Sequence, residues 1–323
     1  MLLGQAKRGL NEAWRYLVGL IVTFSFYFLG QLPLYGVMYW RLNADQSLGL
    51  TAMAEFEKNM DFTILGIDKN VGFLLLIFMF VFALAGLYLV ITALHKKNII
   101  DYITTAKAIN YRKVWFGFSF WMALSVLIEG INYGISPDNY MFRWNPGSFF
   151  PLLFIAIVFL PIQTTFEELF FRGYIMQGIS VYVKKKWVPV LLTSIFFGLV
   201  HGSNPEVARY GFWTMQFYYI LAGLFLAFIT VMDDSLELAI GIHAAVNIFG
   251  ATLFTYEGSV LQTDSIFVTS KIEPWIMILG FIVSAAFFIA ICYKKYRWQS
   301  WENLMDDIDS PSAPSTADDN QQI

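Results

Sequence analysis

Cysteine is nearly absent from this chain, with one residue, Cys292, in 323. A single thiol excludes an internal disulfide and any cysteine-rich zinc site. Cys292 ends an apolar run beside "YKKY" and reads as an inert buried side chain rather than a nucleophile. Charge is scarce as well: 14% of residues are Asp, Glu, Lys or Arg and the net charge is −3, which gives no basic surface for nucleic acid. Histidine occurs three times, and the zinc-protease pattern H-E-x-x-H is missing. Period-two alternation is missing too. The stretch "VGFLLLIFMFVFALAGLYLVITAL" is apolar throughout, which excludes a membrane β-barrel.

What fills the space is hydrocarbon. The chain is 57% hydrophobic and 18% aromatic, with a mean hydropathy of +0.57. Apolar runs of about 18 or more residues cross a bilayer as helices, because a helix rises about 1.5 Å per residue through about 30 Å of hydrocarbon. Eight candidates lie near residues 17–40, 71–94, 114–135, 149–181, 188–203, 212–232, 235–256 and 275–293. The fourth is too long for one simple span and the fifth is short. The expected fold is all-α, a polytopic membrane bundle of about eight transmembrane helices. One domain spans residues 1–300, followed by a disordered acidic tail over 301–323, most of it "DDIDSPSAPSTADDNQQI".

Basic residues orient the bundle. With both termini cytoplasmic, the inside segments hold 14 of the 21 Lys and Arg residues, including Lys96, Lys97, Lys113, Lys184, Lys185 and Lys186. The Lys184–Lys186 run reads as a topology anchor. Asp233 and Asp234 also fall inside and run against the trend. The first helix lacks a cleavage signature and is expected to be retained. Residues 41–70 form the largest outside loop, and 95–113 form a basic inside loop with room for a short interfacial helix. The chain is therefore expected to be an integral, multi-pass protein of the cell (inner) membrane.

Against this background, "FEELFFRGYIMQGI" (166–179) is anomalous. Two glutamates and an arginine at the bilayer centre cost about 8–10 kcal/mol on insertion scales, against roughly 5 kcal/mol returned by the Leu, Ile, Phe and Val residues between Phe149 and Ile162. They must face the bundle interior, water or the interface. Glu168 and Arg172 are four apart and can pair, while Glu167 is turned about 100° away. Glu129, in the third span, is expected to be structural, with Arg172 as one candidate partner. Glu237 begins the seventh helix, where the dipole accounts for it.

Two histidines add to the constellation, in "IFFGLVHGSNPE" and "AIGIHAAVNIFG". Phe197 can pack on His201 across one helical turn, and His243 shares a face with Asn247. The segment after His201 ends its helix and brings that histidine close to the membrane surface. Hydrolysis of a peptide bond in lipid needs water, a base, and donors for the developing oxyanion. Glu167 suits the base, Arg172 would keep Glu168 ionised, and His201 would orient the water or ligate a metal with it. His243 and Asn247 would stabilise the oxyanion or add ligands. Zinc bound by Glu167, His201 and His243 and a metal-free glutamate mechanism fit these residues equally.

The motifs "EELFFR" (167–172), "FGLVH" (197–201) and "HAAVN" (243–247), in this order on successive apolar helices, resemble those of the CPBP (Abi) intramembrane protease family. That family includes the eukaryotic type II CAAX prenyl endopeptidases and proteins linked to bacteriocin processing and immunity. The resemblance covers residues 149–250 and implies an eight-helix membrane fold. It also implies intramembrane peptide hydrolysis, with a membrane protein or lipidated peptide as substrate and Glu167, Glu168, Arg172, His201, His243 and Asn247 as site residues. Two other readings remain: a non-catalytic immunity or assembly factor of the same fold, and an ion-coupled transporter, against which the lack of an inverted repeat counts.

Overall fold

The computed structural model describes residues 1–45 and 47–309. It is a helical bundle whose elements, in chain order, are α1 (Ala13–Ala44), α2 (Leu50–Asn59), α3 (Lys69–Leu89), α4 (Ile100–Ile103), α5 (Tyr111–Ile135), α6 (Pro146–Glu168), α7 (Met176–Ser180), α8 (Trp187–Val200), α9 (Pro205–Tyr210), α10 (Phe212–Asp233), α11 (Glu237–Thr252) and α12 (Pro274–Lys295). Polar residues start the long helices where the apolar runs begin. The Asp68 carboxylate accepts from the amides of Asn70 (2.9 Å) and Val71 (3.1 Å) to cap α3. Asn145 caps α6 through the Gly147 amide, with Pro146 in the first turn.

Among the described residues, six helices are long and apolar enough to cross a membrane. The other two expected spans are shorter, Trp187–Ser203 and Glu237–Thr252. These two carry the histidines. The long fourth run is a single helix over Pro146–Ser180 that changes winding, with a π-helical segment over Leu169–Ile175 linking α6 to α7. Such a segment re-phases the side chains on either side of it, and π segments concentrate at functional sites.

Segments expected on the same side of the membrane meet at the same end of the bundle. At one end Lys113 pairs with Asp233 at 2.9 Å, and the Leu2 amide donates to Asp234 (2.8 Å). Of the acidic pair that ran against the charge trend, Asp233 is thus offset by Lys113 and Asp234 is hydrogen-bonded by a backbone amide. The Glu237 carboxylate accepts from the Asn110 amide at 2.6 Å, tying the start of α11 to the start of α5. Glu237 accordingly does more than face a helix dipole. At the other end a small sheet of β1 (Tyr140–Phe142), β2 (Phe254–Tyr256) and β3 (Phe267–Thr269) has the order β1-β3-β2. β3 runs antiparallel to β1 and parallel to β2. Its three-residue strands were too short to show in the sequence pattern.

One expectation is corrected and another is narrowed. Residues 301–309 do not open a loose tail. Trp301–Met305 is a 3-10 turn, Lys185 pairs with Asp307 at 2.9 Å, and the Ile308 amide donates to the Lys184 carbonyl (2.7 Å) with its side chain buried. The basic run thus anchors the first part of this acidic segment, and the rest of the expected tail, 310–323, lies outside the described residues. Glu129 does not pair with Arg172. It accepts from the Tyr140 hydroxyl (2.7 Å) and from Asn132, at the sheet end of the bundle.

Helices α5 and α11 approach through glycine. A Cβ on Gly117 would stand 2.7 Å from the Leu238 carbonyl oxygen, and one on Gly241 would collide with the carbonyl of Val114. That contact sets the depth of α11, and His243 follows Gly241 by two residues. Gly241→Val is expected to cost about 1–3 kcal/mol through overpacking, read as a lower unfolding temperature in detergent micelles, with Gly36→Val, at an open position, as the neutral control.

Candidate active site

Glu168 and Arg172 are both fully buried, and Arg172 Nη1 donates to Glu168 Oε1 at 2.9 Å. The same carboxylate oxygen accepts from Nδ1 of His243 at 2.7 Å. Arg172 Nη2 also donates to the Gly223 carbonyl of α10 (3.3 Å). One buried ion pair therefore ties α6, α10 and α11 together. Buried charges are tolerated when paired and hydrogen-bonded, and breaking such a pair is far costlier than never having built it.

A column of rings continues from the guanidinium. Arg172 lies over the Phe197 ring at 4.4 Å, and Phe197 packs against His201 with centroids 4.3 Å apart. His201 in turn stacks on Tyr219 of α10 at 4.7 Å and 29°. His201 Nδ1 bonds the Phe197 carbonyl at 2.7 Å. A carbonyl can only accept, so Nδ1 carries the hydrogen and Nε2 is the atom left for other partners.

Glu167 faces His243 from the other side. Its Oε2 lies 3.6 Å from His243 Nε2, too long for a direct hydrogen bond, and makes no other hydrogen bond. His243 Nδ1 donates to Glu168, which leaves Nε2 as the ring nitrogen turned toward Glu167. His243 thus stands between the two adjacent glutamates. The 100° between neighbouring helix positions puts one carboxylate behind the imidazole and the other before it.

Asn247 reaches Glu167 indirectly. Asn247 Nδ2 donates to Gln163 Oε1 (2.8 Å), and Gln163 Nε2 donates to Glu167 Oε1 (2.7 Å). Gln163 was not among the expected site residues. The signal was present: a lone amide four residues before Glu167, on the same face of an apolar helix. Asn204, which donates to the Tyr219 hydroxyl at 3.1 Å, and Tyr219 itself had no such signal.

Glu167, His201, His243 and Asn247 line one cavity of about 760 Å³, together with Gln163, Asn204 and Tyr219. Much of its remaining wall is apolar, with Phe24, Phe28, Leu34, Met38 and Met53 of α1 and α2 among the contributors. Glu168 and Arg172 are absent from the wall and act from behind it. Among the described residues, no group of three or more His, Cys, Asp and Glu side chains is placed to hold a metal ion.

Residues 146–249 match the family model described as Rce1-like, type II CAAX prenyl endopeptidase. An uncharacterized Bacillus subtilis (strain 168) protein, YyaK, is 28% identical over 291 residues, covering 89% of this chain and 94% of the relative. No solved structure matches. The matched segment contains all three motifs, and the apolar helices mark the chain as an integral membrane protein.

Removing Arg172 tests the ion pair. Arg172→Met should cost about 3–5 kcal/mol by leaving Glu168 buried without its counter-charge. The double variant Glu168→Gln/Arg172→Met should recover more than half of that loss in equilibrium unfolding from mixed micelles.

Proposed function

We propose, starting from a segment that belongs to the Rce1-like type II CAAX prenyl endopeptidase family, that this chain is an intramembrane endopeptidase. It would cleave membrane-inserted or lipid-anchored polypeptides in the cell membrane, with a water activated by protein groups. The observation carrying this reading is the 3.6 Å gap between Glu167 Oε2 and His243 Nε2, two acceptor atoms on the wall of a single cavity. A water donating one hydrogen to each would turn its lone pairs toward a bound carbonyl.

The steps balance without further reactants. Water oxygen bonds to the carbonyl carbon as its proton passes to Glu167, and negative charge builds on the carbonyl oxygen. Collapse of that intermediate breaks the C–N bond. The proton held by Glu167 goes to the departing nitrogen, leaving an amine and a carboxylic acid. Glu168 is a positioning residue: it holds His243 in the tautomer with Nε2 free, and Arg172 holds Glu168. Asn247 positions Glu167 through Gln163 and has a second amide hydrogen for the oxyanion. Nε2 of His201 is the remaining polar atom for holding the water or carbonyl in line. The apolar arm between α1 and α2 suits the lipid or helical part of the substrate.

Glu167→Gln keeps shape and removes the base. Cleavage of a lipid-anchored reporter peptide by the purified protein in nanodiscs is expected to fall by at least about 10²-fold with the unfolding temperature unchanged. Gln163→Leu should lose roughly tenfold, because it frees Glu167 rather than deleting it. Unchanged cleavage in Glu167→Gln would sink the protease reading and favour a binding role. Bound metal in the same preparations is the second readout, since stoichiometric zinc that disappears with Glu167→Gln would make Glu167 a ligand and not the base.

A further inference from the structure

Glu206 belongs to none of the three motifs and takes no part in the steps above, yet it lines the same cavity. It is in the first turn of α9 and is 3% exposed. Its Oε1 accepts weakly from the Tyr256 hydroxyl (3.3 Å) and the Val260 amide (3.5 Å). Oε2 is buried and has no hydrogen-bond partner. Among the described residues no cation is paired with it. The neighbouring Arg209 instead pairs outward with Glu257 at 2.9 Å. Burial accordingly raises the carboxyl above the ordinary carboxylate range.

The surroundings are aromatic. Tyr218, Tyr219 and Tyr256 line this part of the cavity, and Tyr219 is the ring stacked on His201. A buried carboxylate with an unpartnered oxygen, in an aromatic-lined part of the cavity, is an arrangement that attracts a cationic nitrogen through a charge-assisted hydrogen bond. An anion would be repelled, and an apolar group would leave the carboxylate oxygen orphaned at a cost of about 1–3 kcal/mol or more. Position matters as well, because Tyr219, the ring stacked on His201, lines the same cavity as Glu206.

We infer that Glu206, walled by Tyr218, Tyr219 and Tyr256, is a specificity subsite for a cationic nitrogen of the substrate, either a Lys or Arg side chain close to the cleaved bond or a free N-terminal ammonium. The inference rests on the endopeptidase reading for the identity of the ligand as a polypeptide. It adds a selectivity for which the apolar arm supplies no basis. The substrate class becomes a lipid-anchored or membrane-inserted peptide with a cation next to its scissile segment.

Binding is measured without turnover, on the Glu167→Gln protein in nanodiscs. The probes are fluorescent acyl-anchored peptides that differ at one position, Lys, Arg, norleucine or Glu, each with a free or an acetylated N-terminus. The Lys or Arg probes, or the free-amine probes, should bind about tenfold or more tighter than their neutral counterparts, and which pair differs identifies the source of the nitrogen. Adding Glu206→Gln should bring that ratio close to one. Tyr256→Leu should reduce it while leaving the carboxylate in place. Equal binding of cationic and norleucine probes, or a preference that survives Glu206→Gln, overturns the inference. Should Glu206→Gln fail to insert, the Glu probe decides on Glu167→Gln alone: binding as tight as the Lys probe overturns the subsite, and weaker binding upholds it. A cation preference in a protein whose wild type cleaves nothing would refute the protease reading only, whereas cleavage indifferent to charge would refute the subsite only.

Discussion

A buried carboxylate shared by an arginine and a histidine holds this molecule's chemistry in place. Glu168 Oε1 accepts from both Arg172 and His243, and every other part of the site is positioned relative to that oxygen. In hydrocarbon neither the carboxylate nor the guanidinium has water to fall back on, so the pair is stable only with helices packed around it. Packing and site geometry are therefore coupled. A helix arrangement that moved α11 away would strip Glu168 of one donor and His243 of its fixed tautomer together. The ring column from Arg172 through Phe197 and His201 to Tyr219 extends the same constraint to α8 and α10.

The change of winding at Leu169–Ile175 follows from the same demands. Glu167 and Glu168 must point to opposite sides of one imidazole, which α-helical phasing provides. Arg172 must then return to Glu168 while Phe171 and Tyr174 pack into the core. Tyr174 also donates or accepts at His95 Nε2 (2.9 Å), far from the catalytic face. The helix serves two sides that uniform winding does not satisfy together, and a π segment between them re-phases it without breaking the rod.

Much of this was legible in the sequence because membrane insertion penalises charge so heavily. Glu167, Glu168, Arg172, His201 and His243 stood out against their apolar neighbours, and the i,i+4 relation alone paired Glu168 with Arg172. The helices were legible from hydropathy, to within a few residues. What could not be read were the relations set by three-dimensional packing. The sequence offered His243 for the oxyanion or for further ligation, and did not show that Glu168 would bond its Nδ1. The link from Asn247 through Gln163 to Glu167 had no counterpart in the spacing. Glu129 looked like a partner for Arg172 because both are charged and buried by composition, yet Tyr140 of the small sheet takes it. Residues 301–309 have the composition of a solvated tail, and a single buried Ile308 with ion pairs to Lys7 and Lys185 suffices to dock them.

The arrangement also separates two tasks that a soluble hydrolase assigns to bulk solvent. In the proposed reaction water must reach Glu167 while the substrate arrives from lipid. The cavity meets both needs by being apolar toward α1 and α2 and polar toward Asn204, Glu206 and the sheet. His201 stands at the junction, in the 3-10 turn that ends α8. Its helix is too short to span the bilayer fully, and the same shortness of α11 lets His243 meet Glu167 with polar loops close by. The two helices that fall short of full membrane length are thus the two that bring imidazoles to the cavity.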